Sequence, residues 1–151
     1  MSGVRRCSLR SKRRATVIAG VLKTQMDEAK IIGADQVVAT DDDNAIANLP
    51  TLDVVADTVN GETAEKLIAK VKAGGVFAYV LGAPRNAEKY PTVKVIPVYV
   101  TPDAKTLQFM AEAVRDGKLV IPISRKLPLS KAAEAQAAAE EGGIGKVLLV
   151  A

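Results

Sequence analysis

From residue 15 onward, short apolar runs rich in β-branched residues alternate with segments of helical period. The alternation predicts βαβ units and a mainly parallel sheet. Residues 15–21 read as a buried strand. Thr24 is placed to cap a helix reaching about Ile32, with Gly33 as its stop. Residues 36–39 form a short strand. The polar run Asp41, Asp42, Asp43, Asn44 then reads as a solvated loop without the spaced ligands of a calcium loop. Residues 52–57 are the next strand. A helix over 62–72 follows, with Ala64, Leu67, Ile68 and Val71 on one face, ended by Gly74-Gly75, which launches a strand over 76–81.

The stretch Val93–Val100 is again β-branched, and its Pro97 argues for an edge or bulged position. Asp103 should cap a helix ending near Asp116-Gly117, in which Leu107, Met110, Ala111 and Val114 recur at helical spacing. Residues 121–127 are extended but interrupted by Pro122 and followed by Pro128. Ser130 should cap an alanine-rich helix to about Glu141, and residues 146–150 form a last strand. No internal repeat or low-complexity linker is visible. The expected organisation is one domain over 15–151, preceded by a basic tail at 1–14.

Length and charge sharpen this picture. The chain has 151 residues, of which 48% are apolar and 25% charged. That is ordinary globular composition, enough for one core and too little for two full domains. The net charge is +4, but six of the 21 basic residues fall in the first 14 positions. The remaining 15 face all 17 acidic residues, so the rest of the chain is slightly acidic. The tail has no aromatic residue to stack on a base, which argues against nucleic-acid binding. No apolar run approaches the ~20 residues needed to span a bilayer, and no membrane role is expected.

One cysteine, Cys7, leaves no intramolecular disulfide and suits a reducing, cytoplasmic compartment. Histidine is absent, which excludes His-based zinc sites and histidine proton relays within this chain.

Several pieces recur in fixed order: Ala15-Thr-Val-Ile-Ala-Gly-Val21, Gly33-Ala-Asp35, Asp53-Val-Val-Ala-Asp-Thr-Val-Asn-Gly61, Gly74-Gly75, Gly82-Ala-Pro84 and Gly145-Lys-Val-Leu-Leu149. With Gly117-Lys-Leu119 and Pro128-Leu129, they resemble the C-terminal cofactor-binding domain of the medium-chain dehydrogenase/reductase superfamily, the zinc-type alcohol dehydrogenases and quinone oxidoreductases. The resemblance covers residues 15–151. It implies an α/β fold, a three-layer Rossmann-like sandwich with a mainly parallel sheet, truncated at its first strand. The GroES-like catalytic domain and the glycine-rich first βα turn have no counterpart, since residues 2–14 hold one glycine and no apolar strand.

In the parent strand order 3-2-1-4-5-6, the missing strand sits at the centre. The expected repair is direct pairing of 15–21 with 52–57, giving the order 2-1-3-4-5. A segment over 4–9 could insert only by burying Arg5 or Arg6. A partner chain donating the strand is the other solution, and the Val93–Val100 edge offers a homodimer surface.

The resemblance also implies a cofactor lining at the carboxyl ends of the strands: Gly20, Val21 and Lys23; Asp57, Thr58, Val59 and Gly61; Leu81 and Gly82. Gly20 stands where relatives that choose NAD carry an acidic residue on the ribose 2′-hydroxyl. Lys23 lies beside it, so NADP is expected over NAD, although Gln25 stands where NADP-preferring relatives often carry lysine. No zinc and no catalytic acid or base are assigned. Tyr79 and Tyr99 lie in expected strands, as packing residues. The implied function is a truncated NADP-dependent oxidoreductase of quinone-reductase or alcohol-dehydrogenase type, working with a separately encoded catalytic domain. The alternatives are a non-catalytic nucleotide-binding or interaction module, and a gene remnant without activity.

Overall fold

A computed structural model describes residues 15–30, 33–143 and 145–151. The expectations for the tail at 1–14, Cys7 and the segment over 4–9 lie outside these residues, as does the helix end at Ile31 and Ile32. The fold class is the one expected, α/β and Rossmann-like, with every described strand pair parallel.

The first unit is β1 (Ile18–Val21), a 3-10 turn (Lys23–Gln25), α1 (Met26–Lys30), β2 (Gln36–Ala39) and α2 (Asp43–Ala47). β1 pairs with β2 from Ile18 opposite Gln36 to Val21 opposite Ala39. Thr24 does not cap α1, because the chain enters it through the 3-10 turn, where the Gln25 side chain accepts from the Leu22 amide at 3.4 Å. The run at 41–44 is no plain loop. Asp42 caps α2, accepting from the Asn44 and Ala45 amides at 2.9 and 3.2 Å.

The second unit contains β3 (Leu52–Asp57), α3 (Glu62–Ile68), β4 (Val71–Tyr79) and β5 (Lys94–Pro97), in the order β3-β4-β5. Here the structure corrects the reading of 62–72. The helix stops at Ile68, and Val71 already pairs with Leu52 in the strand. Gly74-Gly75 lies inside β4 as a bulge, between the Leu52–Val71 and Val54–Val76 pairs. Gly74 has φ +74, and a β-carbon on Gly75 would come within 2.9 Å of two backbone carbonyl oxygens. The glycine pair therefore shapes a strand instead of ending a helix.

The core lies between α3 and this ladder: Val55, Ala64, Ile68, Val71, Phe77 and Val93 are buried together, with Phe77 and Ile68 fully enclosed. The opposite face of the ladder is more open, since Val54 and Ile96 remain exposed.

The third segment holds α4 (Ala104–Arg115), β6 (Ile123–Pro128), α5 (Ala132–Glu140) and β7 (Lys146–Val150), with β6 and β7 paired. Asp103 caps α4 as expected, accepting from the Lys105 and Thr106 amides at 3.2 Å. The expected apolar face is largely uncovered, however, with Leu107 68% exposed. Ser130 does not cap α5, which begins from a 3-10 turn at Leu129–Lys131.

The expected strand order 2-1-3-4-5 does not form: β1 pairs with β2 alone, and β3 with β4 alone, among the described residues. The two units are instead tied through their helices. Lys66 of α3 pairs with Asp43 of α2 at 2.6 Å, and the Lys70 ammonium donates to the Ala47 carbonyl at the end of α2. A cation at a helix carboxyl end is favourably placed. These contacts join the units without bringing β1 onto the edge of β3, so both edges stay unpaired among the described residues.

Candidate functional site

Parallel strands deliver their carboxyl ends to one side, and loops there can approach a ligand with backbone and short side chains. At the end of β1, Gly20 and Lys23 are exposed and Val21 is half-buried. The Val21 carbonyl accepts from the Thr40 amide at 2.8 Å and from the Thr40 hydroxyl at 3.1 Å. A β-carbon on Gly20 would lie 2.8 Å from the Thr40 methyl, so the glycine admits Thr40. Asp41 follows, and its carboxylate accepts from the Lys23 amide at 2.8 Å.

The three consecutive aspartates therefore do three separate things. Asp41 holds the start of the 3-10 turn, Asp42 caps α2 and Asp43 pairs with Lys66. That pairing, through its hydrogen bond first, holds the Lys66 ammonium above the usual lysine range. No group of three potential metal ligands occurs among the described residues.

At the end of β3, Asp57 is the one buried charged residue among those described, at 6% exposure. Its Oδ1 accepts from the Val59 and Asn60 amides, both at 3.2 Å, and its Oδ2 from the Asn60 amide at 3.1 Å. The carboxylate shapes its own turn. Asn60 completes it at φ +69, and Gly61 at φ +75 opens α3. Asp57 thus positions Thr58, Val59 and Asn60. Val59 is 70% exposed at the tip.

Past β4, Leu81 is 69% exposed and Gly82 is half-buried. A β-carbon on Gly82 would lie 2.9 Å from Asn60 Nδ2. The structure thus joins the loops at 57–61 and 81–82 into one surface, and joins Gly20–Lys23 to Thr40-Asp41 into another. The sequence reading did not single out Thr40, gave Asp41 only as part of a solvated polar run, and had Asn60 only as a member of the stretch from Asp53 to Gly61. Asp41 carried no signal beyond the acidic run, because its partner lies 18 residues away.

Alternating parallel strands and helices, with strand-end loops built on glycine, aspartate and asparagine, define a Rossmann-like cofactor-binding type of domain. Residues 32–149 match the family model described as zinc-binding dehydrogenase, and the chain belongs to that family, within the medium-chain dehydrogenase/reductase superfamily.

The fold is similar to that of a quinone oxidoreductase from Coxiella burnetii, at 24% identity and TM-score 0.82, over 96% of this chain and 48% of that one. An NAD-dependent alcohol dehydrogenase is similar at 23% identity and TM-score 0.83, over 98% and 47% of the two chains. A thermostable alcohol dehydrogenase from Pyrobaculum aerophilum gives 18% identity and TM-score 0.78, over 99% and 46%. The chain spans about half the length of these proteins. No curated protein matches it.

The family's description names zinc, but the donor set here does not suit it. The chain has no histidine and one cysteine, the ligand types that structural and catalytic zinc sites draw on most. A nicotinamide dinucleotide suits the strand ends better: small residues, Gly20 and Gly82, stand there, and the Asp41 carboxylate and Lys23 meet just past Gly20. No helix among the described residues is long and apolar enough to cross a membrane.

Proposed function

We propose that this chain supplies the cofactor-binding domain of a nicotinamide-dependent oxidoreductase of quinone-reductase or alcohol-dehydrogenase type, with catalytic groups contributed by a separate domain. The observation that carries this reading is the Asp57-shaped turn packed against Gly82 at the strand ends, in a chain of the dehydrogenase family. Thr58, Val59, Gly61 and Leu81 offer backbone and apolar surface there, and Gly20, Val21 and Lys23 border the adenosine end. The bound nicotinamide supplies the hydride chemistry, and the protein binds and orients it.

Quinone or enone reduction is favoured over zinc-dependent alcohol oxidation, because the tail from Gly117-Lys-Leu119 through Pro128-Leu129 resembles that of the zinc-free quinone-reductase relatives best. Two residues weigh on the cofactor in opposite directions: Lys23 favours the phosphate of NADP, and the Asp41 carboxylate beside it favours NAD. A cytoplasmic setting belongs to the same reading and rests on the cysteine content.

Calorimetric titration of the full chain with NADH and NADPH, at low and moderate salt, tests the reading. Saturable heat that falls in Gly82→Val supports it. No heat with either dinucleotide sinks it. A second reading, an interaction module, is favoured by the apolar side chains of Tyr99, Val100, Leu107 and Phe109, all exposed around α4. In that reading the β5 edge forms a homodimer, and light scattering in solution would show a mass twice that of one chain.

A further inference from the structure

The sequence holds Asn44, Asn48, Asn60 and Asn86, and the backbone amide that follows each decides what its side chain can do. After Asn44, the Ala45 amide donates to the Asp42 carboxylate at 3.2 Å. After Asn48 and Asn86, the Leu49 and Ala87 amides donate to the Ile46 and Pro84 carbonyls, both at 3.1 Å. The Gly61 amide, which follows Asn60, donates to nothing among the described residues. Gly61 has no side chain to shield that nitrogen, and nothing lies within 4 Å of where its β-carbon would stand. The Asn60 side chain, beside Gly82, is likewise held by no hydrogen bond among the described residues. Asparagine is a thermolabile residue, and here its reactive neighbour is left free.

We propose that Asn60-Gly61 is a site of self-modification, in which the Gly61 nitrogen closes on the Asn60 side chain and the asparagine becomes an aspartyl or isoaspartyl residue. The Gly61 nitrogen gives its proton to solvent and bonds to Cγ of Asn60. The Cγ–Nδ2 bond breaks, and Nδ2 leaves as ammonia with a proton from water. Water then opens the cyclic imide at Cγ, giving aspartate, or at the main-chain carbonyl, giving isoaspartate. Nothing is oxidised or reduced: water enters and ammonia leaves. The Asp116-Gly117 pair has the same spacing, but there the Gly117 amide donates to the Val114 carbonyl at 3.1 Å and the carboxylate is paired with Lys118 at 2.9 Å and Arg115 at 3.0 Å. The fold closes that site and leaves Asn60 open.

Either product puts a new carboxylate in the turn shaped by the buried Asp57 carboxylate, which accepts from the Asn60 amide at 3.1 Å. Like charges at such range disfavour one another. Isoaspartate also lengthens the backbone at a residue with φ +69. The contact with Gly82 is lost, so the loops after β3 and β4 part as the chain ages. This chemistry needs no ligand and stands apart from the cofactor reading.

The test ages the full chain in mildly alkaline buffer and follows it by tandem mass spectrometry, with an isoaspartyl methyltransferase and labelled methyl donor as the second readout. Position 60 should convert roughly tenfold faster than Asn44, Asn48 or Asn86, the ratio made by about 1.4 kcal/mol of barrier. In isotopically labelled chain aged alongside, the Val59 and Gly82 amide resonances should move to new positions as product grows. Asn60→Asp, which makes one product directly, should show the moved Gly82 resonance in fresh protein. Comparable rates at all the asparagines, or conversion at position 60 only after unfolding in urea, overturn the proposal. Conversion that leaves the Gly82 resonance in place overturns the parting of the loops.

Discussion

The Asn60 side chain fills the space beside Gly82, where a β-carbon would lie 2.9 Å from Nδ2. This contact couples the turn after β3 to the loop after β4. It makes the two loops one surface although 22 positions of sequence separate them.

Gly82→Ala pushes on the tip of a side chain that can give way. The fold should lose no more than about 1 kcal/mol, within the range of ordinary single substitutions. Dinucleotide affinity should fall further than stability, because the displaced Asn60 carries the turn with it. Urea unfolding beside NADH titration separates the two effects, and Gly82→Val should enlarge both.

Asp57→Ala strips the Val59 and Asn60 amides of their acceptor in a buried position. The expected loss is about 2–3 kcal/mol, since an unmet buried donor costs more than the bond contributed. Asp57→Asn keeps one acceptor oxygen and should lose less. Chemical denaturation of the three proteins gives the order.

Gly75→Ala places a methyl within 2.9 Å of the Asp53 and Lys72 carbonyl oxygens, which cannot rotate away. A loss of about 2–4 kcal/mol is expected from forcing the bulge open. At Gly142, φ is +83 but the surrounding space is open, so alanine there should cost about 1–2 kcal/mol through backbone strain alone. Thermal unfolding of both variants distinguishes a steric from a conformational penalty.

Acid should loosen α4 at its start. The hydrogen bond from the Thr106 hydroxyl holds the Asp103 carboxyl below the usual range, opposed by desolvation and helped further by the Lys105 and Thr106 amides. A depressed folded value means the stabilisation is complete above about pH 4, the unfolded value, and is lost as pH falls through the folded one. Asp116 behaves likewise through Lys118 and Arg115 at the other end of the helix. Circular dichroism should show the acid loss of helix reduced in Asp103→Asn, whose amide caps without titrating.

Where one type of local signal acts alone, the sequence predicts the structure well. β2 and β3 fall on the β-branched runs at 36–39 and 52–57, and Asp103 caps α4 as its spacing predicts. Where two signals compete, it does not. Val71 continues the helical period of Ala64, Leu67 and Ile68, yet Leu52 captures it for a strand, and the glycine pair becomes a bulge. Thr24 and Ser130 have capping chemistry, but 3-10 turns set both helix starts.

The sequence by itself determined the parallel α/β class, through its periodicity, and the family, through a resemblance carried by short pieces in fixed order. Both are read from local stretches of chain. Tertiary structure alone decided that β1 stays off the edge of β3, that Asp57 spends its carboxylate on its own turn, and that Asp41 meets Lys23 beside a glycine filled by Thr40. Each depends on which strand lies next to which. Parallel pairing makes neighbours of residues about 20 positions apart, and no local pattern encodes that choice.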